Sequence, residues 1–244
     1  MTTFWHTSAG SGDPVALLHG GFSDSRDFDL SLSGLSDAFT VHAYDRRGHG
    51  RSPDLPGPIT MSVLAADAEA FLTDVVGGPA VLCGYSAGGA VALHTALRRP
   101  GLVRALVLIS TAYAVDGMLF APTADAPLPP AVVARYAEVS PDGPDHLPVI
   151  QAKLAESIAT EPGLTPSDLA RIACPTLVVA ADDDLVTLEH TAALYGALPD
   201  ARLAILPGTS HLLLLEAPDR VTTLVRDFLT GGFATSRLMP IRRR

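Results

Sequence analysis

With 244 residues, 48% of them hydrophobic and 18% charged, the chain is long enough to bury a sizeable core and too apolar to be disordered throughout. A formal net charge of −9 argues against nucleic acid as a partner, whose phosphates would be repelled. There is no basic-then-apolar leader and no apolar run of membrane-spanning length, so the expectation is one cytoplasmic α/β domain, monomeric or homodimeric, that stays out of the membrane.

In chain order, residues 4–7 and 15–18 read as strands joined by the turn Gly10-Ser11-Gly12-Asp13. The second runs straight into His19-Gly20-Gly21-Phe22. Residues 28–38 carry apolar side chains at helical spacing. Residues 41–44 form another short strand, which empties into Asp45-Arg46-Arg47-Gly48-His49-Gly50-Arg51-Ser52-Pro53. A long helix is predicted over 61–76, capped by Thr60 and ended by Gly77-Gly78-Pro79. A buried strand at 80–83, a helix at 90–97 and a strand at 104–110 follow. Alternation of strands and helices predicts parallel pairing with helices on both faces.

That alternation breaks between residues 111 and 171, where a Pro- and Ala-rich connector at 122–130 precedes amphipathic stretches at 131–139, 146–160 and 167–172. It resumes with a strand at 175–180, a helix at 189–197, a strand at 201–206 and a helix at 219–229. The predicted architecture is a mostly parallel sheet of about seven strands. Its core is 1–110 and 172–235, with a small helical cap inserted at 111–171 and a basic tail at 236–244. Arg242, Arg243 and Arg244 read as a solvated end. Cys83 and Cys174 lie beside predicted core strands and read as small buried hydrophobes, not as a disulfide or a metal pair. No metal or cofactor is expected.

The stretch with chemical meaning is Gly84-Tyr85-Ser86-Ala87-Gly88, a G-x-S-x-G between a predicted strand and a predicted helix. A serine on so sharp a turn needs neighbours without bulk two positions to either side, which Gly84 and Gly88 supply. The free N–H groups that open the following helix favour a developing oxyanion. Alone, the motif fits a phosphate-binding or tightly packed turn equally well. A serine nucleophile also needs a base oriented by an acid. The best base is His211, in the loop after the last strand; His6, His42, His49, His94, His146 and His190 sit in core elements or lack a partner at a strand end. The acid is expected from Asp182-Asp183-Asp184, at the carboxyl end of a parallel strand, where such sheets bind ligands. Strand register points Asp182 and Asp184 one way and Asp183 the other.

Taken together, L-L-H-G-G at 17–21, D-R-R-G-H-G-R-S at 45–52, G-Y-S-A-G at 84–88, P-T-L-V-V-A-A-D-D-D at 175–184 and G-T-S-H at 208–211 resemble the α/β-hydrolase superfamily. They resemble most its compact, cap-bearing esterase and lactonase-like members, over nearly the whole chain apart from 111–171. The chain order serine, acid, histidine is the one that fold uses. The resemblance implies Ser86 as nucleophile, His211 as base and Asp184 as orienting acid, with Asp116 the alternative if the acid follows the preceding strand. It implies an oxyanion hole from the N–H groups of Ala87 and Gly21, with Phe22 as the substitute second donor. The 45–52 turn reads as structural support. Candidates for contacting substrate are Phe22, Tyr85, Phe120 and Leu147, the last two from the cap.

The pattern departs from the family at three places. The chain begins late, so the first strand of an eight-stranded family sheet is expected to be missing; Ser210 stands where glycine often precedes the histidine, and Leu185 where proline often follows the acid. The implied activity is hydrolysis of a small carboxylic ester or lactone, with no cofactor and a small acyl molecule as partner. Thioester, C–C bond or amide hydrolysis, cofactor-free lyase or perhydrolase chemistry, and a ligand-binding receptor module remain open alternatives.

Overall fold

The computed structural model describes residues 4–233. Its strands are β1 (His6–Ala9), β2 (Pro14–Leu18), β3 (Thr40–Tyr44), β4 (Ala80–Tyr85), β5 (Val103–Ile109), β6 (Thr176–Asp183) and β7 (Ala201–Ser210). They form one seven-stranded sheet in the order β1-β3-β2-β4-β5-β6-β7. β1 lies antiparallel to β3, and the remaining neighbours pair in parallel. The helices are α1 (Met61–Phe71), α2 (Ala87–Arg98), α3 (Pro130–Val139), α4 (Leu147–Thr160), α5 (Pro166–Leu169), α6 (Leu188–Ala197), α7 (Leu213–Glu216) and α8 (Pro218–Thr230). None of the described helices is long and apolar enough to cross a membrane.

Period-two alternation of apolar side chains divides the core into two layers. On one face Ala16, Leu18, Leu82, Leu106 and Leu108 pack with Leu64 and Phe71 of α1 and Val91 and Ala92 of α2. On the other, Val15, Leu17, Val81, Cys83, Val107 and Ile109 pack with Phe28, Leu32 and Leu35 and with Val221 and Val225 of α8. The central strands are buried on both sides over nearly their whole length, which is why they read as near-continuous apolar runs, broken in β5 by Arg104.

Several local expectations shift. The predicted helix at 28–38 is instead two 3₁₀ stretches, Ser25–Phe28 and Leu32–Asp37. Ser31, Ser33, Gly34 and Ser36 favour turns over helix, and the backbone closes i→i+3 bonds such as Gly34 N–H to Ser31 O. The helix begun by Thr60, whose side chain accepts from Val63 N–H, keeps α geometry to Phe71 and widens to a π turn over Leu72–Val76 before left-handed Gly77. The first strand lies two residues later than expected, and the last runs on to Ser210, so His211 leaves the sheet edge directly.

Between β5 and β6 the chain forms α3, α4 and α5. Tyr136, Leu147 and Ile150 from this segment are buried in the same apolar cluster as α1 and α2. Ionic contacts also tie it to the core. Arg135 of α3 donates to Asp24 through Nε (3.0 Å) and Nη2 (2.9 Å), and Lys153 of α4 reaches Asp54 at 2.6 Å.

Candidate active site

The sharp turn between β4 and α2 is built as its glycines require. Ser86 has φ 51° and ψ −120°, a strained backbone that its N–H bond to Ile109 O (2.8 Å) helps to hold. A Cβ on Gly84 would meet the Gly88 carbonyl and the Gly89 backbone at 2.5 Å, and one on Gly88 would collide with Leu18 O. The helix can therefore start almost on top of the sheet, with Ser86 at its mouth and partly exposed.

Asp184 and His211 arrive from the ends of β6 and β7. Ser86 Oγ lies 3.1 Å from His211 Nε2, and His211 Nδ1 lies 2.6 Å from Asp184 Oδ1. Asp184 also accepts from Ser110 Oγ at 2.5 Å, from Ala181 N–H at 3.2 Å and from Val186 N–H at 3.2 Å. Burial works to raise its carboxyl, but the hydrogen bonds from His211 and Ser110 outweigh it and hold the group below the usual carboxylate value. An ionised acid, an imidazole whose Nε2 is free to accept, and a hydroxyl share one line. A serine nucleophile needs these parts in this order.

The row of three aspartates resolves by partner. Asp182 accepts from Gly208 N–H (3.0 Å) and Thr209 N–H (3.1 Å), pinning the end of β7 just before His211. Asp183 is exposed, and Asp184 takes the imidazole. Asp116 is 86% exposed and lies 4.0 Å from His190. Ser210 carries its own compensation for the absent glycine: its N–H and hydroxyl both donate to Glu216, at 2.6 and 2.8 Å.

Gly21 lies against the start of α2, where an added Cβ would sit 3.7 Å from that of Ala87. Phe22 has φ 52° and is half-buried against the apolar cluster. Tyr85 is buried beneath the site: its hydroxyl donates to His211 O at 2.8 Å, and its ring lies 5.4 Å from the imidazole. Leu147 is 4% exposed, whereas Phe120 is 71% exposed, just past the backbone bond from Leu119 N–H to Leu185 O. Cys83 is a buried free thiol pushed up by desolvation, and Cys174 is free as well. Among the described residues no group of three His, Cys, Asp or Glu could hold a metal ion.

Sequence reasoning overlooked Ser110 and the supporting part of Tyr85. Ser110 had a signal, since it is the polar residue ending an apolar strand at the sheet's carboxyl edge. Tyr85 had none beyond its place beside the serine.

A mostly parallel sheet with a strained serine between strand and helix, and an acid and a histidine from later strand ends, defines a hydrolase of the α/β type. Residues 15–224 match the model of the alpha/beta hydrolase family, and the chain belongs to that family. It is similar to a 2-(acetamidomethylene)succinate hydrolase of Mesorhizobium japonicum, at 29% identity over 90% of this chain and 89% of that protein. It is also similar to a pimeloyl-[acyl-carrier protein] methyl ester esterase of Nitrosospira multiformis, at 25% identity over 90% and 95%. Among solved structures, a thermophilic esterase from Thermogutta terrifontis superposes with a TM-score of 0.76 and 25% identity, covering 95% of this chain and 94% of that one.

Proposed function

We propose that this hydrolase cleaves a small carboxylic ester or lactone through an acyl-enzyme on Ser86. The observation that carries the reading is the continuous hydrogen-bond path Ser86–His211–Asp184. Ser86 Oγ attacks the carbonyl carbon while His211 Nε2 takes its proton, and Asp184 stabilises the imidazolium and fixes its tautomer. The carbonyl oxygen becomes an oxyanion facing the N–H groups of Gly21 and Ala87. As the intermediate collapses, His211 returns the proton to the leaving alcohol. Water then attacks the acyl-enzyme, again giving its proton to His211, and the acid departs with Ser86 restored. For a lactone, alcohol and acid are two ends of one product.

The segment 111–171 acts in this reading as a cap that shapes substrate choice without supplying a reacting group. Tyr85, buried beneath the site, supports the His211 backbone from below in this reading, and any substrate contact it makes is limited to the small part of it left exposed. The test is a serine-reactive fluorophosphonate followed by peptide mapping, with acyl esters, lactones and thioesters assayed on the same preparation. An adduct on Ser86 and an inactive Ser86→Ala are expected. An adduct elsewhere, or a fully active Ser86→Ala, overturns the assignment, and a preference for thioesters would move the substrate class.

A further inference from the structure

A buried cation stands directly behind the loop that carries Gly21. Arg46, on the turn after β3, is 1% exposed. Its Nη2 donates to the Gly20 carbonyl at 2.6 Å and lies 3.4 Å from His19 Nδ1. His19, wholly buried, accepts from Arg46 N–H through Nε2 (3.0 Å), so its Nδ1 carries the proton and donates to the same Gly20 carbonyl at 2.8 Å. Burial lowers the guanidinium to about 10, which leaves it charged at neutral pH. Burial drives His19 and His49 down as well, the latter to about 3, so Arg46 is the cation of this cluster.

One peptide receives both donors. It is trans, so the Gly21 N–H points away from the Gly20 carbonyl and from Arg46 behind it. Gly21 itself lies against Ala87 at the start of α2. The loop is gripped from the other side too, because Gly20 N–H donates to buried Asp27 at 3.1 Å. Desolvating a guanidinium is costly, and an apolar side chain would fill the same space without that cost. The guanidinium also feels the Asp27 carboxylate, but its hydrogen bond goes to the Gly20 carbonyl, and hydrogen bonds in series polarise one another.

We propose that Arg46 is the positioning residue of the oxyanion hole: it fixes the Gly20–Gly21 peptide plane and polarises it, strengthening Gly21 N–H as a donor to the oxyanion. The effect grows as negative charge develops, so it belongs to the transition state more than to bound substrate. The inference rests on the serine-hydrolase reading of the same site.

The experiment compares Arg46→Met, Arg46→Gln and Arg46→Lys with wild type on the best ester of the panel. It also measures inhibition by an alkyl trifluoromethyl ketone, whose Ser86 adduct bears an oxyanion. Arg46→Met should lower kcat about 10- to 100-fold with KM within about threefold, less than outright loss of a donor. Inhibitor affinity should fall by the same factor as kcat/KM. Arg46→Gln, neutral but still able to donate, should lie between Met and wild type, and Arg46→Lys should recover most of the loss. A neutral variant with unchanged kcat and inhibitor affinity, or one whose loss is all in KM, overturns the proposal. So does failure of both neutral variants to melt cooperatively, which would make the cation a requirement of folding. If wild type itself takes no fluorophosphonate on Ser86, the hydrolase reading has failed, whatever Arg46 does.

Discussion

Ser110 donates its hydroxyl to Asp184 across 2.5 Å, from a residue that is buried and left-handed at φ 48°. A non-glycine residue in that conformation at the end of β5 is a local strain whose counterpart is the bond to the acid. Ser110→Ala should therefore lower kcat about tenfold, in the range of one lost hydrogen bond to a charged group. The folded carboxyl of Asp184 is lowered, so its contribution to stability is present above the unfolded value and lost as pH falls through the folded one. Removing Ser110 narrows that window, and the acid-unfolding midpoint of Ser110→Ala should move to higher pH. An unmoved midpoint with wild-type kcat would make the contact incidental.

The three adjacent aspartates should separate cleanly. Asp184→Asn should lose on the order of 10⁴ in kcat, because the amide supports the wrong tautomer of His211. Asp182→Asn gives up one strong acceptor for Gly208 and Thr209 N–H, so it should lower the melting temperature while kcat stays within about tenfold. Asp183→Asn, at an exposed site, should match wild type within about 0.5 kcal/mol. Steady-state kinetics and thermal melts on the three variants check the ranking, and a collapse at Asp182 with Asp184 spared would reverse it.

The parts legible in the sequence are those where local sterics leave little choice. Gly84 and Gly88 announce the turn at Ser86 because no other side chain fits against Gly89 and Leu18. The near-continuous apolar runs announce β4 and β5 because both faces are covered over most of their length. Residues 28–38 misled because their apolar spacing is helical while serine and glycine prefer turns, and tertiary packing of Phe28, Leu32 and Leu35 holds the 3₁₀ form. The choice among the aspartates was beyond strand register, since pairing between β6 and β7 shifts between Ala181 and Asp183. Ser110 was marked by its place at a strand end and Arg46 by the 45–52 turn, but the partners they and Asp27 hold lie in distant segments, which no local pattern encodes.

The contact of α3 with the core should be a true clasp. Asp24, buried, accepts from Arg26 Nε at 2.8 Å as well as from Nε and Nη2 along one edge of the Arg135 guanidinium, and Arg135 lies 3.4 Å from Asp27. Burial works to raise Asp24, but hydrogen bonds from Arg26 and Arg135 prevail and hold it far below its ordinary value. Its stabilising contribution is thus present above the unfolded pKa of about 3.9 and lost only as pH falls through the lowered folded one. The clasp should hold through mild acid. Asp24→Asn takes one counter-charge from each of two guanidinium groups, leaving Arg26 with Glu138 and Arg135 with Asp27, and should cost roughly 2 kcal/mol in denaturant unfolding. Because Asp27 also holds Gly20 N–H, a loosened Arg135 should lower kcat more than it raises KM. A double-mutant cycle of Asp24→Asn with Arg135→Met measures the coupling, and additive effects would dissolve the clasp.

Phe120 and Leu147, both candidates for contacting substrate, should behave oppositely on truncation. Leu147 is 4% exposed and packs in one cluster with Ile150, Tyr136 and the α1 and α2 side chains. Leu147→Ala deletes buried methyl groups where neighbours can collapse only in part, so it should cost about 2–4 kcal/mol. Its chain-length preference should stay that of wild type. Phe120 is 71% exposed and follows Leu119, whose N–H bonds to Leu185 O beside Asp184. Phe120→Ala removes almost no packing and should change stability by no more than about 0.5 kcal/mol. An aromatic ring left in water next to the acid loop gains contacts only when something apolar comes to cover it, and an acyl chain leaving Ser86 on that side would do so. Phe120→Ala should therefore raise KM for longer acyl esters about 3- to 10-fold, since losing one apolar contact is worth roughly 1 kcal/mol, and leave acetyl esters unchanged. Assays over a series of acyl lengths, paired with melts of both variants, decide the matter. A uniform loss across acyl lengths for Phe120→Ala, or an altered preference in a fully stable Leu147→Ala, would exchange the two roles.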